Sequence, residues 1–321
     1  MVRWGIIGCG RISHRFMQGF ATVSGASFTG AWTRRAEPLN DFVSRYGGKA
    51  FASVSALLTS PDIDAVYIAT LPDSHMEYSI AALKAGKHVL CEKPSAVNLT
   101  QLDQILEVAR QQNLLFMEGM KPPFFPLYQA LNKHLQIDPI GPVGYVRAGS
   151  SVIGLEPEHP NFSYDGVGGA IMGILPYEAF LAVEFLGKTL EVQTMGHFGD
   201  KEVDMFATIQ TKHEYGYAQL YCGFDLHGKG DALISGMLGH ITIHKNWWNP
   251  SKATIEYFDG HIVELDEPFS AGGLNYETEH FCQLVENGFT ESPIITHELS
   301  REMIKLLDSA RAQIGLKFKG E

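Results

Sequence analysis

The chain has 321 residues, 45% hydrophobic and 19% charged, with 25 basic against 36 acidic side chains and a net charge of −11. That length suits about two domains, and the acidic surplus argues against nucleic acid or an anionic membrane as the main partner, since no basic excess is available to displace phosphate counterions. No apolar run approaches a membrane span and the N-terminus lacks a signal-peptide layout, so a cytoplasmic protein is expected.

Val2–Ile7 reads as a strand, and Gly8-Cys9-Gly10-Arg11-Ile12-Ser13 leads from it into a helical pattern through Phe16, Met17 and Phe20. Strand, glycine turn and helix is the setting the dinucleotide fingerprint requires. Gly8 permits the tight turn. Gly10 lets the backbone approach a pyrophosphate. Ser13 stands where a small residue must let helix and strand pack closely. The helix start, Arg11 and Ile12, offers free N–H groups and a positive dipole end to phosphates.

The second strand, Ser27–Thr33, ends where a carboxylate would hold the 2′-hydroxyl of NAD. Here the residues are Thr33-Arg34-Arg35. Guanidinium groups grip a 2′-phosphate bidentately, which favours NADP and leaves NAD possible. A helix over Glu37–Tyr46 follows. Asp62–Ala69 is a buried strand ending in Thr70-Leu71-Pro72-Asp73-Ser74-His75, and a helix over 73–85 is capped by Asp73 or Ser74. His75 either faces the nicotinamide region or simply sits in the first helical turn.

The next strand, over 87–91, contains Val89, Leu90 and Cys91 and stops at Glu92-Lys93-Pro94. Three apolar residues in a row suit a parallel strand buried on both faces. The carboxyl end of such a strand is where open α/β sheets bind ligands, and proline cannot continue the ladder. Lys93 is therefore a functional candidate, set against the plainer reading of a charge at a strand end. A helix over Leu99–Gln111 and a strand over Leu114–Met117 complete an alternating βα run.

After Glu118 the pattern changes. Lys121-Pro-Pro-Phe-Phe-Pro126 is a breaker cluster before a helix through Leu135. Strand-like segments follow at Val143–Ser150, Leu190–His197, Val203–Thr211, Gly216–Cys222, Ala232–Ser235, His240–His244, Ala253–Tyr257 and His261–Glu264. Several alternate polar with apolar residues, which implies an antiparallel sheet with one face covered. Asp259-Gly260 signals a hairpin. Gly166–Tyr177 opens an apolar helix on which Gly173 and Tyr177 share a face. Tyr177 is a core aromatic or a group at a helix start. Helices at about 275–287 and 297–314 close the chain, with Asn287-Gly288 as a stop. The boundary falls near residue 120, giving a dinucleotide-binding domain over 1–120 and a second domain over 121–321. Cys9, Cys91, Cys222 and Cys282 are scattered without CxxC spacing and read as reduced, mostly buried thiols. The 13 histidines show no HExxH or clustered spacing, so no metal site is expected.

These residues resemble the Gfo/Idh/MocA oxidoreductase family over nearly the whole chain. The marks are Gly8-Cys9-Gly10, the run 69–75, Ala85-Gly-Lys-His-Val-Leu-Cys-Glu-Lys-Pro94, Phe116-Met-Glu-Gly119, Gly168-Gly-Ala170 and Tyr276–Phe281. Arg34, Tyr177 and Asn246-Trp-Trp-Asn-Pro-Ser251 are most similar to the branch of dimeric dihydrodiol dehydrogenase and NADP-linked xylose dehydrogenase. The resemblance implies an α/β protein: an N-terminal Rossmann domain, then a substrate-binding and dimerisation α/β domain with a large, mostly antiparallel open sheet. It implies a homodimer or higher homo-oligomer, and hydride transfer between nicotinamide and a secondary alcohol or carbonyl of a sugar, polyol or dihydrodiol. Lys93 and Tyr177 match the catalytic pair, and the Lys93–Pro94 bond matches one that is often cis. Gly8, Gly10, Arg11, Ile12, Thr33, Arg34, Thr70, Leu71, Pro72, His75, Glu92 and Lys93 match the dinucleotide site.

Two places depart from the pattern. Gly173 replaces the usual aspartate four residues before the tyrosine, and Lys121-Pro-Pro-Phe124 replaces Trp-Thr-Arg-Phe. Beside an oxidised nicotinamide a partly desolvated Lys93 is expected to lose its proton more readily; Lys93 or Tyr177 takes the alcohol proton and the other holds the oxygen. The competing class is a non-catalytic, dinucleotide-sensing regulator of the same fold, which Gly173 favours. A reductase of a pyrrole or imine is a third possibility.

Overall fold

In the computed structural model, which describes residues 1–319, the chain opens with β1 (Val2–Ile7), α1 (Arg11–Phe20), β2 (Ala26–Trp32), α2 (Ala36–Tyr46), β3 (Lys49–Ala50), α3 (Val54–Leu58) and β4 (Ala65–Ile68). It continues with α4 (His75–Lys84), β5 (His88–Glu92), α5 (Leu99–Gln112) and β6 (Phe116–Gly119). The six strands pair in parallel in the order β3-β2-β1-β4-β5-β6. This is the doubly wound dinucleotide-binding arrangement, in which the order reverses between β1 and β4 and ligands sit beyond the carboxyl ends of the strands. Val89, Leu90 and Cys91 of β5 have no exposed surface, so the apolar triplet is a central strand, as its composition implies. Trp4 of β1 anchors the core. Its ring lies 5.8 Å from Phe16 and 4.9 Å from Phe281.

Next come α6 (Pro126–Ile137), β7 (Val143–Ser151), α7 (Ala170–Gly173), α8 (Leu175–Leu186), β8 (Thr189–Phe198), β9 (Asp204–His213) and β10 (Tyr217–Gly223). Then follow β11 (Ala232–Gly236), β12 (Gly239–Ile243), β13 (Lys252–Tyr257), β14 (Ile262–Asp266), α9 (Leu274–Glu286) and α10 (His297–Ile314). The chain divides into two units: Met1–Lys121 with Ser270–His297, and Pro122–Phe269 with Glu298 onward. A second domain running unbroken over 121–321 differs from this division, because α9 packs with the first unit. Phe281 lies on Trp4, and α9 comes so close to α1 that a Cβ on Gly19 would stand 2.8 Å from Asn275 Cβ.

The second unit's sheet has eight strands in the order β14-β13-β12-β11-β7-β10-β9-β8. Only β7 and β10 are parallel neighbours; the other pairs are antiparallel. One face is covered by α8, whose residues are nearly all buried. In β10 the alternation is plain: Ala218, Leu220 and Cys222 are buried, whereas Tyr217 and Gln219 are exposed. The Asp259-Gly260 turn joins β13 to β14, and Asn287 caps α9 ahead of Gly288 at φ +73°.

Three local features depart from the expected elements. The short β3 and α3 carry too few residues for a periodic signal. The helix over 73–85 starts as a single 3₁₀ turn, Pro72–Ser74, before α4; Ser74 stands at the N-cap of α4 but makes no side-chain bond to it, its Oγ donating instead to Thr70 Oγ1 at 3.0 Å. The helix expected from Gly166 breaks at Ile174 into α7 and α8, because Pro176 supplies no N–H to an unbroken ladder and is tolerated only in a first turn. All four cysteines are free and buried. Among the described residues no helix is long and apolar enough to cross a membrane, and no three His, Cys, Asp or Glu side chains gather to hold a metal ion.

Candidate active site

In the first unit the carboxyl ends of β1, β4 and β5 carry the motifs. Gly8 has φ +101°, and a Cβ there would stand 2.7 Å from the carbonyl oxygen of Ala69. Gly10 is the opposite case: a Cβ there would meet nothing within 4 Å. It is the N-cap of α1 and supplies no side-chain bond to the helix, so the first-turn N–H groups of Arg11 and Ile12 are left for an outside acceptor. Ser13 is fully buried and its hydroxyl donates to the carbonyl of Gly8. A hydroxyl at this small-residue position therefore ties the turn to its own helix. Open space at Gly10, uncapped donors and no acid in the first turn of α1 fit a pyrophosphate.

Arg34 lies just beyond β2 and is exposed. The Tyr78 hydroxyl of α4, ahead of the charges of Asp73 and Glu77, pushes the pKa of the Arg34 guanidinium further up. Tyr78 is buried edge-on to Trp32 at 5.9 Å. An exposed arginine just beyond the end of β2 suits a ribose 2′-phosphate. Thr33, Thr70 and Pro72 are half-buried and Leu71 is 39% exposed, so these residues remain open at the strand ends.

Lys93 follows β5 and is half-buried, and its bond to Pro94 is cis. Two contacts fix the residues after it. His75 Nδ1 lies 2.9 Å from the Pro94 carbonyl oxygen, and the Ser95 N–H donates to Glu118 Oε1 at 2.8 Å. His75 is 1% exposed and its Nε2 lies 3.2 Å from the carbonyl of Thr70. Both ring nitrogens face backbone, so His75 joins the loop after β4 to the loop after β5. Burial, the largest influence, pushes its pKa down against the two carbonyls. A neutral ring has one N–H to give, and the closer Pro94 carbonyl is the better acceptor.

Glu92 also differs from the expected role. It is 8% exposed and accepts from the Tyr67 hydroxyl, and the Tyr67 ring stacks on Phe16 at 4.0 Å. Its carboxylate thus turns into the unit. Lys121 and Glu277 are buried in the same electrostatic neighbourhood. Burial first, then the charges of Arg15 and Lys93, push the Lys121 amine down to about 7, while Glu92 and Glu277 pull it up. Burial and the charge of Glu92 push the Glu277 carboxyl well up, and neither of its oxygens has a hydrogen-bond partner among the described residues. The sequence names Lys121 only as the start of the departure Lys121-Pro-Pro-Phe124 and Glu277 only within the run Tyr276–Phe281, without marking either as a buried charge. The signal for Glu277 was its period: it shares the buried face of α9 with Leu274, Thr278 and Phe281.

In the second unit Tyr177 sits half-buried in the first turn of α8. The adjacent Glu178 is fully buried and accepts from Ser150 Oγ at 2.5 Å, which ties α8 to β7. Asp204 accepts from the Ile171 N–H at 2.7 Å and so caps α7. Gly169, at φ +103°, is required there, since a Cβ would fall 2.0 Å from Asp204 Oδ1. Burial raises the Asp204 carboxyl to about 6, against the backbone N–H groups that favour its charge. Where a side chain at Gly173 would begin, the Asn161 carboxamide and the Phe224 ring stand 3.3 Å away. Asn161 was not singled out in the sequence; it lies in the long loop after β7, with no periodicity to mark it.

A six-stranded parallel sheet with a glycine turn after β1 and a lysine just after β5, with β4 between them, is the arrangement of a dinucleotide-dependent oxidoreductase. The model of the oxidoreductase family with NAD-binding Rossmann fold, Gfo/Idh/MocA, matches residues 2–120. The chain is 29% identical over 339 residues to scyllo-inositol 2-dehydrogenase (NADP+) of Bacillus subtilis strain 168, covering 100% of this chain and 99% of that protein. It is 30% identical over 333 residues to trans-1,2-dihydrobenzene-1,2-diol dehydrogenase of Xenopus laevis, covering 98% and 99%. Among solved structures it is similar to a 3-ketoreductase from Actinomadura kijaniata in complex with NADP and TDP-benzene, with 26% identity, 97% of each chain covered and a TM-score of 0.85. The chain belongs to the Gfo/Idh/MocA family and is an NAD(P)-dependent oxidoreductase acting on hydroxyl or carbonyl groups.

Proposed function

We propose that the protein is an NADP-linked dehydrogenase or reductase of a small carbohydrate-like molecule, and that Lys93 and Tyr177 handle the proton. The observation that carries this reading is the fixing of Lys93 at the carboxyl end of β5, with Pro94 held by His75 and Ser95 by Glu118. Gly8, Gly10, Arg11 and Ile12 would hold the pyrophosphate, Arg34 with Thr33 the 2′-phosphate, and Thr70, Leu71 and Pro72 the flank of the dinucleotide. When bound, NADP supplies the acceptor of the hydride, or its donor in the reverse direction. Lys93 Nζ takes the hydroxyl proton as the substrate's alcohol becomes a carbonyl, and the Tyr177 hydroxyl donates a hydrogen bond to the same oxygen. A positioned group of this kind contributes roughly 10²–10⁴-fold.

The substrate class rests on the relatives, which act on scyllo-inositol and a dihydrodiol by name. Turnover of scyllo-inositol, xylose and trans-1,2-dihydrobenzene-1,2-diol with NADP+ and with NAD+, followed at the reduced-nicotinamide absorbance, tests the reading. Dinucleotide binding without turnover of any of the three would overturn the proposed substrate class.

A homodimer belongs to the same proposal. The uncovered face and edge of the eight-stranded sheet expose Met195, Tyr217 and Ile262, and a second copy would cover them. Light scattering on the eluting protein reads this directly. Four buried free thiols support a reducing, cytoplasmic setting.

A further inference from the structure

We propose that the Asn161 carboxamide is the group that recognises a hydroxyl next to the reacting carbon of the substrate, so that the enzyme selects vicinal diols. This rests on the function proposed above and names a residue of its substrate side. It starts from Gly173, one helical turn before Tyr177. A Cβ at Gly173 would lie 3.3 Å from Asn161 Oδ1, 3.4 Å from Asn161 Cγ and 3.3 Å from Phe224 Cζ. The carboxamide therefore lies against the bare backbone of residue 173, in the space a side chain from that position would otherwise fill.

The loop presenting Asn161 is anchored at several points. Asn161 lies in a 3₁₀ turn, Pro160–Phe162. Its carbonyl accepts from the Gly169 N–H at 2.7 Å. Gly168 approaches so closely that a Cβ there would stand 2.5 Å from the same oxygen. The Asn161 N–H donates to His159 Nδ1 at 3.2 Å. Phe162 meets the buried Phe224 edge-on at 5.6 Å. Gly168 and Gly169, Phe224 and Gly173 together fix where the amide stands. A recognition group needs such fixing, since a loosely held one loses its gain to ordering entropy.

Exposure points the same way. Asn161, Gly173 and Tyr177 are each half-buried, while Ile171, Met172, Ile174, Leu175, Pro176 and Glu178 are buried. The phenol and the backbone of residue 173 are thus partly open in a stretch otherwise closed to solvent, and the amide, from a loop whose residues 161–164 are all half-buried, lies against residue 173. The chemistry selects the ligand. A carboxylate at this place would only accept hydrogen bonds and would carry charge; a carboxamide is neutral and both donates and accepts. One hydroxyl can donate to the oxygen of Asn161 while its neighbour accepts from the nitrogen. A site built to bond a substrate hydroxyl discriminates strongly against an analogue lacking it, because the site's own polar group is then left unpaired.

The test compares wild type, Asn161→Ala and Gly173→Ala on scyllo-inositol, xylose, trans-1,2-dihydrobenzene-1,2-diol and cyclohexanol, the last a ring alcohol with no neighbouring hydroxyl. Asn161→Ala is expected to raise KM for the best of the three diols by about tenfold or more, with KM for NADP+ unchanged within about twofold. The advantage of that diol over cyclohexanol in kcat/KM should shrink by a similar factor. Gly173→Ala leaves the amide in the protein but displaces it, and should reproduce the KM rise with an unchanged melting temperature. An unchanged diol KM in both variants overturns the inference while leaving the proposed function standing. An equal loss on cyclohexanol and diol also overturns it, since that reports general damage. Failure of the wild type on all three diols removes the proposed function and this inference together.

Discussion

Nδ1 of His75 lies 2.9 Å from the carbonyl oxygen of Pro94, joining the first residue of α4 to the residue that follows Lys93. The contact couples two loops at the carboxyl end of the sheet, because the other ring nitrogen faces Thr70. His75→Ala removes a buried ring and leaves a buried carbonyl unpaired. The expected loss is about 2–4 kcal/mol of stability, together with a fall in kcat that exceeds any change in KM for NADP+. Urea denaturation and steady-state kinetics read the two effects. The pH dependence has a definite sign. Burial lowers the folded-state pKa below the ordinary 6.5, so this contribution to stability is complete above 6.5 and is lost as pH falls toward the folded value. A variant with the same acid-side slope as wild type would show that His75 is charged in the fold.

The two glycines of the turn should separate folding from binding. Gly8→Ala forces a side chain onto φ +101° and within 2.7 Å of a backbone oxygen, so the melting temperature should fall by several degrees. A Cβ at Gly10 would meet nothing within 4 Å in the protein, so Gly10→Val should leave the melting temperature unchanged. Its side chain would occupy the phosphate approach, raising the Kd for NADPH by about tenfold or more. Equal NADPH affinity in Gly10→Val and wild type would move the pyrophosphate elsewhere.

Lys93→Met keeps the length of the side chain and removes its amine. We expect kcat to fall by about 10²-fold or more while NADPH fluorescence titration returns a near wild-type Kd. Turnover close to wild type would remove Lys93 from the chemistry.

Arg34→Ala should weaken NADPH by about tenfold to a hundredfold, the range for losing a charge-assisted hydrogen-bonding group. NADH should be barely affected. Parallel titrations with the two nucleotides decide it, and equal losses would show that the guanidinium does not read the 2′-phosphate.

Lys121 gives the fold a basic-side pH dependence. Its folded value is pushed down to about 7 from an ordinary 10.5 by burial and by the charges of Arg15 and Lys93. The unfolded chain therefore holds the extra proton between those values. Stability should rise with pH across that window, by at most about 1.4 kcal/mol per pH unit. Lys121→Met should flatten the rise measured by denaturation at pH 7 and pH 9. Parallel slopes would mean that the amine keeps its charge inside the fold.

The sequence by itself determined the strand–turn–helix at Gly8–Ser13, the central strand ending at Lys93, and the alternating strands of the second unit. These features are written in local periodicity and in glycine and proline positions, which act within a few residues. Tertiary structure alone decided that His75 and Glu92 turn inward, that α9 rejoins the first unit, and that Asn161 stands against Gly173. Each depends on which distant segment fills the space around the residue: Pro94 and Thr70 for His75, Tyr67 for Glu92, Trp4 for α9. Periodicity shows which side of an element is apolar, but not which partner meets it. A polar residue in a loop carries no period, so its role emerges only when packing sets its neighbours.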